Sequence, residues 1–370
     1  MSPSLRLRYW LVRLFAHVDL PLLGLLGLLM LLGGAVVYSA VGENTARLTS
    51  HCINLGIALL AMLAVSHISP QRLMHFTLPA YMLGLGLLLA VALFGEIVNG
   101  SRRWLDLGVT RVQPSELMRL AAPMMLAWYL HSRQEVLRQR DFIVATGLLL
   151  LPVAFILKQP DLGTSLLITA SGVFVLFLAG LSWRVMAGVG LAVAAFLPIA
   201  WQYLLHDYQR RRVLTLLDPT SDPLGAGYHI IQSTIAIGSG GITGKGWMAG
   251  TQAHLDFIPE RTTDFIFAVY AEEFGFAGAF LLVLLYLAII LRGMQLAAAA
   301  PSLFGRLLSG SIVLTFFTYA FVNMGMVSGI LPVVGVPLPL VSYGGTSMVT
   351  VLLGFGIVMA LASHKKLVKT

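Results

Sequence analysis

The chain predicts an all-α polytopic membrane protein of about ten transmembrane helices, with one long extracytoplasmic loop and a re-entrant outer loop. Three observations lead there. Hydrophobic residues make up 58% of its 370 and charged ones 11%, where soluble domains carry about 25% charged. Apolar stretches of roughly the 17–25 residues that cross a bilayer recur along the chain. Most connectors between them are short, and the exception, 206–264, is polar and rich in Gly, Asp and Arg. With no repeat of fixed period and no low-complexity tract, residues 1–370 read as one membrane domain in which 206–263 is the long loop.

Taken in order, spans are expected at 20–40, 51–69, 75–98, 115–131, 142–158, 164–181, 185–205, 264–291, 308–327 and 346–363. The first apolar run is too long for a signal-peptide core and no cleavage site precedes it, so it is expected to stay. Pro114 suits the first turn of the fourth span. Between the fifth and sixth, Pro160 and Gly163 make a turn, and Asp161 can cap the helix that follows. After the seventh comes the long loop, which Asp264 ends against the apolar run Phe265-Ile-Phe-Ala-Val-Tyr270. Between the ninth and tenth, 327–345 holds three prolines and four glycines, which break any continuous helix. Non-helical backbone at membrane depth persists only where protein buries it or it lines a polar cavity. That segment is therefore expected to re-enter and to wall a cavity beneath the long loop.

The Lys/Arg bias of short loops sets orientation. With the N-terminus inside, the inner face collects thirteen basic residues, Arg6, Arg8, Arg13, Lys365, Lys366 and Lys369 among them. The outer face collects ten, of which five remain once 206–263 is set aside. Both termini are thus expected in the cytoplasm and the long loop outside. The +8 net charge then reads as topology and not as a nucleic-acid surface. The single Cys52 excludes a disulfide framework, and nine scattered histidines without an HExxH pair give a metal site no support.

Four polar clusters fall on the outer side. In Gln113-Pro-Ser-Glu-Leu-Met-Arg119, Glu116 and Arg119 share a helix face at i, i+3, either as a structural ion pair or as substrate contacts. Lys158 and Asp161 flank the next turn, and both are costly at membrane depth without partners. The long loop carries Arg210, Arg211 and Arg212, which run against the positive-inside tendency. They suit an anion such as phosphate, or headgroups of membrane lipids. Further along, Gly238-Ser-Gly-Gly-Ile-Thr-Gly-Lys-Gly-Trp247 has the look of a phosphate loop but fails that motif, because Gly246 stands where Ser or Thr follows the lysine. Glu260 and Asp264 close the loop four residues apart, with Glu272 and Glu273 deeper in the helix. Asp264 reads either as a first-turn acid favoured by the helix dipole or as a functional carboxylate at a membrane boundary. Glu272 reads as a partner for Arg119. The fourth cluster is the Pro- and Gly-rich segment itself.

Together these segments resemble the SEDS family (shape, elongation, division and sporulation proteins) over essentially the whole chain. The strings that carry the likeness are Asp218-Pro, Asp222-Pro-Leu-Gly-Ala-Gly-Tyr-His229, Ile237-Gly-Ser-Gly-Gly241, Pro259-Glu-Arg-Thr-Thr-Asp-Phe-Ile-Phe-Ala268, Glu272-Glu-Phe-Gly275 and Pro339-Leu-Val-Ser-Tyr-Gly-Gly345. Gly244–Gln252 and Gly335–Pro339 resemble the rod-elongation branch more than the division branch. The resemblance implies ten spans in the bacterial cytoplasmic (inner) membrane and a peptidoglycan glycosyltransferase that polymerises lipid II during elongation. It implies Asp264 as the catalytic aspartate and a class B penicillin-binding protein as partner. Family members often carry Lys where this chain has Arg119, which keeps the charge but makes it a planar fork.

The residues suit that chemistry. A carboxylate can take the proton of an acceptor hydroxyl attacking an anomeric carbon, a contribution of about 10²–10⁴-fold. The lipid pyrophosphate leaving group needs positive charge, for which Arg210, Arg211, Arg212, Lys158 and Arg119 are the candidates, with a divalent cation (Mg or Mn) as a possible cofactor. Glu116, Asp161, Glu260 and Lys245 complete the groups expected around substrate. One strongly indicated carboxylate points to a single inverting displacement, since retaining chemistry uses a second as nucleophile. The competing readings are a lipid flippase or transporter, whose internal pseudo-symmetry is not seen here, and a non-catalytic scaffold. A partner helix is expected against spans 308–327 and 346–363, where Gly325, Gly329, Ser347 and Gly354 permit close approach.

Overall fold

Caps and breakers set where each helix begins and ends. In a computed structural model of the chain, residues 15–364 are described apart from 43, 99–100, 107–110, 134–136, 204–206, 223–224 and 256. The terminal residues Arg6, Arg8, Arg13, Lys365, Lys366 and Lys369, and His206 in the long loop, lie outside the described residues. The first helices are α1 (Leu20–Val41), α2 (Thr45–Ser66) and α3 (Pro70–Phe94). Asp19 caps α1 by accepting from the Leu22 amide, and Asn44 caps α2 by accepting from that of Arg47, which starts α2 earlier than expected.

The third span is shifted, starting at Pro70 and ending at Phe94, before its expected end. Gly95 ends α3, and the stretch that follows is too short and polar to cross a bilayer. Its backbone groups pair instead in a small antiparallel sheet of β1 (Glu96–Val98), β2 (Ser101–Asp106) and β3 (Arg111–Val112). The sheet is a small addition to a fold that is otherwise helical among the described residues. Next come α4 (Pro114–Ser132), α5 (Gln139–Lys158), α6 (Leu162–Leu178) and α7 (Trp183–Tyr203). None of the residues of α7 is buried, so it stands apart from the bundle.

The long loop is mostly helix. It contains α8 (Asp207–Leu217), a 3-10 turn (Pro219–Ser221), α9 (Ala226–Ser239) and the short α10 (Thr251–His254). Gly227, Ile230, Ser233 and Ala236 form a buried stripe at every third position of α9. That stripe is what lets a polar segment pack on the bundle.

The chain closes with α11 (Ile266–Ala299), α12 (Leu303–Val327) and α13 (Gly345–Ser363). α11 packs along α12, and α13 along α2. At Gly275 (φ 64°) α11 is broken, and the glycine-rich turn after α9 fills the gap. The Lys245 and Gly246 amides donate to the carbonyls of Glu272 and Glu273, and those of Phe276 and Ala277 donate to Gly241 and Ile242. A break in a spanning helix is tolerated when neighbouring groups take up its freed backbone bonds, and this is the use of the phosphate-loop-like sequence.

Among the described residues eight helices are long and apolar enough to cross a membrane: α1, α2, α3, α5, α7, α11, α12 and α13. α6 has 17 residues, and α4 carries Glu116 and Arg119. Residues 328–344 turn back into the bundle without regular structure, burying Val336, Leu338, Leu340 and Val341.

Candidate active site

Asp264 sits in the turn immediately before α11, at the edge of the membrane-spanning region. Two hydrogen bonds from the re-entrant segment and one from α12 fix that turn. The Tyr343 amide donates to the Thr262 carbonyl at 2.8 Å, and Ser342 Oγ to that of Thr263 at 2.6 Å. Asn323 Nδ2, on α12, donates to the Asp264 carbonyl at 2.8 Å and to that of Val336 at 2.7 Å. Gly335 lies over the carboxylate: a methyl there would sit 3.4 Å from Asp264 Oδ2. The segment therefore does wall the site.

Among the described residues no hydrogen bond ends on the Asp264 carboxylate. Burial raises its pKa from 3.8 to about 6, with the neighbouring Glu260 carboxylate adding to the rise and Arg212 opposing it. Glu260 is exposed and holds a left-handed backbone (φ 48°), and its Oε2 accepts from Thr263 Oγ1 at 2.9 Å. Such a conformation is costly for a residue with a side chain and concentrates at functional sites.

The three arginines do not act as one patch. Consecutive helix positions point about 100° apart, and only Arg212 of the three influences Asp264 electrostatically. Arg210 Nη2 donates to the Gln202 carbonyl at 2.9 Å, and Arg211 is exposed.

A second polar centre lies between α4 and α6. Arg119 Nη1 is 2.7 Å from Glu116 Oε1, and Thr350 Oγ1 donates to Glu116 Oε2 at 3.1 Å. The guanidinium lies over the Tyr319 ring, 5.2 Å from its centroid. Asp161 caps α6 through the Thr164 amide (3.1 Å), accepts from Thr164 Oγ1 (2.9 Å) and lies 4.0 Å from Arg103 Nε. Arg119 Nη2 reaches Thr164 Oγ1 at 3.4 Å, joining the two acids into one network. Val334, next to Gly335, brings its carbonyl against Gly163 at the start of α6, so the re-entrant segment touches both centres.

One expectation is corrected. Glu272 does not pair with Arg119, because its side of α11 faces the glycine-rich turn. Its Oε1 lies 2.6 Å from Lys245 Nζ and accepts from Thr251 Oγ1 and the Gln252 amide, and its Oε2 accepts from the Ala253 amide. Lys245 is thereby committed to the helix break. Lys158 is exposed at the end of α5, and Asp161 has partners in Arg103, Gln113 and Thr164.

His229 was missed as a site residue. It lies on α9 with its ring 5.4 Å from that of Phe265, the residue after Asp264, and its Nδ1 is buried without a hydrogen-bond partner among the described residues. Burial lowers its pKa and Glu260 opposes that. Asn323 and Ser342 were missed too, since nothing local in sequence ties them to 262–264. Among the described residues no group of three or more His, Cys, Asp or Glu is placed to hold a metal ion.

Residues 13–367 match the family profile of the FtsW, RodA and SpoVE cell cycle proteins. The peptidoglycan glycosyltransferase MrdB of Escherichia coli K12 is 49% identical over 351 residues, 95% of each chain. The MrdB protein of Helicobacter pylori J99 is 35% identical over 361 residues, covering 95% of this chain and 92% of its own. A chain from a structure described as structural coordination of polymerization and crosslinking by a peptidoglycan synthase complex superposes with TM-score 0.81 at 36% identity, covering 93% of this chain and 97% of that one. The rod shape determining protein RodA of Thermus thermophilus gives 0.71 at 30%, with 93% and 96% covered.

Proposed function

The chain belongs to the FtsW, RodA and SpoVE family of cell cycle proteins, and on that premise we propose how this integral membrane peptidoglycan glycosyltransferase uses Asp264 to polymerise lipid II in cell elongation. The observation that carries the reading is a carboxylate with a pKa of about 6, held in a turn clamped by the re-entrant segment. Near neutral pH it is ionised yet basic enough to accept a proton, which is the balance general-base catalysis needs.

The acceptor hydroxyl oxygen attacks the donor's anomeric carbon while its proton passes to Asp264. The bond from that carbon to the pyrophosphate oxygen breaks, and the electron pair leaves with the lipid pyrophosphate. Arg212 is the cation within electrostatic reach of Asp264 and stabilises the departing charge. One displacement of this kind inverts the anomeric centre. Magnesium or manganese is usually held by one or two carboxylates together with substrate phosphates, and Glu260 is the protein oxygen donor beside Asp264. An ion there would supply positive charge to the pyrophosphate.

The same reading places the protein in the inner membrane with both termini cytoplasmic, beside a class B penicillin-binding protein that crosslinks its product. Of the partner contacts expected at Gly325 and Gly354, Gly354 packs its own chain, since a methyl there would meet Ile312 at 3.0 Å. Gly325 packs on Leu331, which a methyl would meet at 2.8 Å, and also lines an open apolar cleft. That cleft, of about 310 Å³, lies on the outward faces of α11 and α12 with Leu287, Phe317 and Phe321 in its wall, and it reaches Ser328 at the start of the re-entrant segment.

The test is polymerisation of lipid II by purified protein. Wild type should give glycan chains and Asp264→Asn none. A correctly folded Asn variant working at the normal rate removes Asp264 from the role.

A further inference from the structure

Joining two lipid-linked sugars needs two binding places that converge on one base. The cation on α8 accounts for the donor's pyrophosphate and leaves the acceptor unplaced. A cleft of about 470 Å³ opens beside the Asp264 turn, lined by Asn44, Arg47, Glu260, Arg261 and Thr262 among others, and no arginine of α8 is among its lining residues. Its volume falls within the ~300–1,000 Å³ of small-ligand sites. Glu260 belongs to both places, because it lines the cleft and acts electrostatically on Asp264.

The cleft is built and not incidental. Arg261 Nε donates to the Ala40 carbonyl at 2.7 Å and its Nη1 to that of Ala253 at 2.5 Å, so one side chain ties the end of α1 and α10 to the cleft wall. Asn44 Oδ1 accepts from the Arg47 amide at 3.1 Å, fixing the facing wall. Thr263 holds the Glu260 carboxylate, and the left-handed backbone at Glu260 sets the direction of its side chain.

The donor set is mixed: guanidinium, carboxylate, carboxamide and hydroxyl. Such a set suits a ligand rich in hydroxyl and amide groups that also carries a carboxylate, and it suits an isoprenoid chain poorly. We infer that the cleft formed by Asn44, Arg47, Glu260, Arg261 and Thr262 binds the saccharide and peptide of the acceptor, presenting its hydroxyl past Glu260 to Asp264. This rests on the reading of Asp264 as the base.

The probe is the pyrophosphate-free disaccharide-pentapeptide of peptidoglycan, titrated calorimetrically into full-length protein. Lacking a leaving group, it cannot react as a donor, and Arg212→Ala reports whether it binds on the donor side. Arg47→Ala and Glu260→Gln should each weaken its binding roughly tenfold, the size of one lost charge-assisted hydrogen bond. Arg47→Lys, which keeps the charge, should recover part of the loss, and Arg212→Ala should leave the affinity unchanged. Unchanged affinity in both Arg47→Ala and Glu260→Gln overturns the assignment, as does loss on Arg212→Ala, which would put the probe on the donor side. The same titration on Asp264→Asn separates the two readings. Binding retained with polymerisation lost supports both, whereas binding retained with polymerisation intact removes the base and leaves the cleft.

Discussion

Asp264 and Glu272 lie eight residues apart around the start of α11, and the fold treats these two carboxylates in opposite ways. Glu272 is fully enclosed, and both its oxygens are engaged by Lys245, Thr251 and the amides of Gln252 and Ala253. Asp264 is only partly buried, receives no hydrogen bond on its carboxylate among the described residues, and sits beside a second acid. A buried charge that is fully satisfied is inert and structural, whereas one left short of partners keeps a shifted pKa and open coordination for a substrate. Burial alone does not separate the two. What separates them is where the surrounding donors go: the amides of Gln252 and Ala253 reach the Glu272 carboxylate, while the Tyr343 amide and Ser342 Oγ of the re-entrant segment go to the carbonyls of Thr262 and Thr263 and leave the Asp264 carboxylate facing Gly335.

The sharpest way to break this contrast is to replace each acid. Asp264→Asn should lower lipid II polymerisation by about 10²–10⁴-fold with the fold retained. Glu272→Ala should instead cost about 3–5 kcal/mol of stability, by stranding Lys245 and two backbone amides. Chain synthesis and thermal melting of the two variants check this. A Glu272→Ala protein that melts like wild type ends the structural reading.

Next in size is the α4–α6 network, where Glu116 and Arg119 are paired although Arg119 Nε has no hydrogen-bond partner among the described residues. Glu116 and Arg119 hold each other, so Arg119→Ala leaves Glu116 with Thr350 alone. The double replacement should cost about 2 kcal/mol less than the sum of the single losses. Strictly additive losses in a double-mutant cycle would show that the pair is not coupled.

The third concerns pH. The Asp264 pKa rises from 3.8 to about 6 on folding, so between these values the folded state binds the proton more tightly than the unfolded one. The stabilising contribution is full below about 4 and is lost as pH rises through about 6. Asp264→Asn should therefore be more stable than wild type at pH 8, by about 3 kcal/mol, and lose that advantage by pH 4. Activity follows the reverse course, because the base must be ionised. The wild-type rate should be half-maximal near pH 6 and fall about tenfold per unit below it. Melting and rate profiles across pH 4–9 test both signs.

Much of the scaffold was legible in the sequence because a bilayer demands long apolar runs, and such runs are hard to disguise. The Asp264 junction was legible for the same reason, as the point where an apolar run begins abruptly after an acid. Less legible were contacts made by insertion. Glycine and lysine at 240–246 look like a phosphate loop because both structures need tight turns with free amides, yet here the amides serve the break at Gly275. Glu272 was assigned to Arg119 on charge alone, and only tertiary packing reveals that Lys245 is nearer. The helices α8 and α9 were hidden because among the described residues α8 buries only Thr215 and the stripe on α9 is short and includes Gly and Ser, and His229 went unseen with them.

The smallest expected effect isolates the covering glycine. Gly329 and Gly335 both belong to the re-entrant segment and share nearly the same left-handed backbone, φ 72° and 73°. A methyl on Gly329 would meet Ile230 at 3.5 Å, whereas one on Gly335 would meet Asp264 Oδ2 at 3.4 Å. Alanine at either position should therefore cost a similar backbone penalty, about 1–2 kcal/mol. Only Gly335→Ala adds apolar surface beside the carboxylate, which disfavours its charged form and should move the pH midpoint of activity up by about 0.3 units. If both variants shift the midpoint equally, the shift comes from general loosening of the segment, and the raised pKa of Asp264 owes nothing to the residue that covers it.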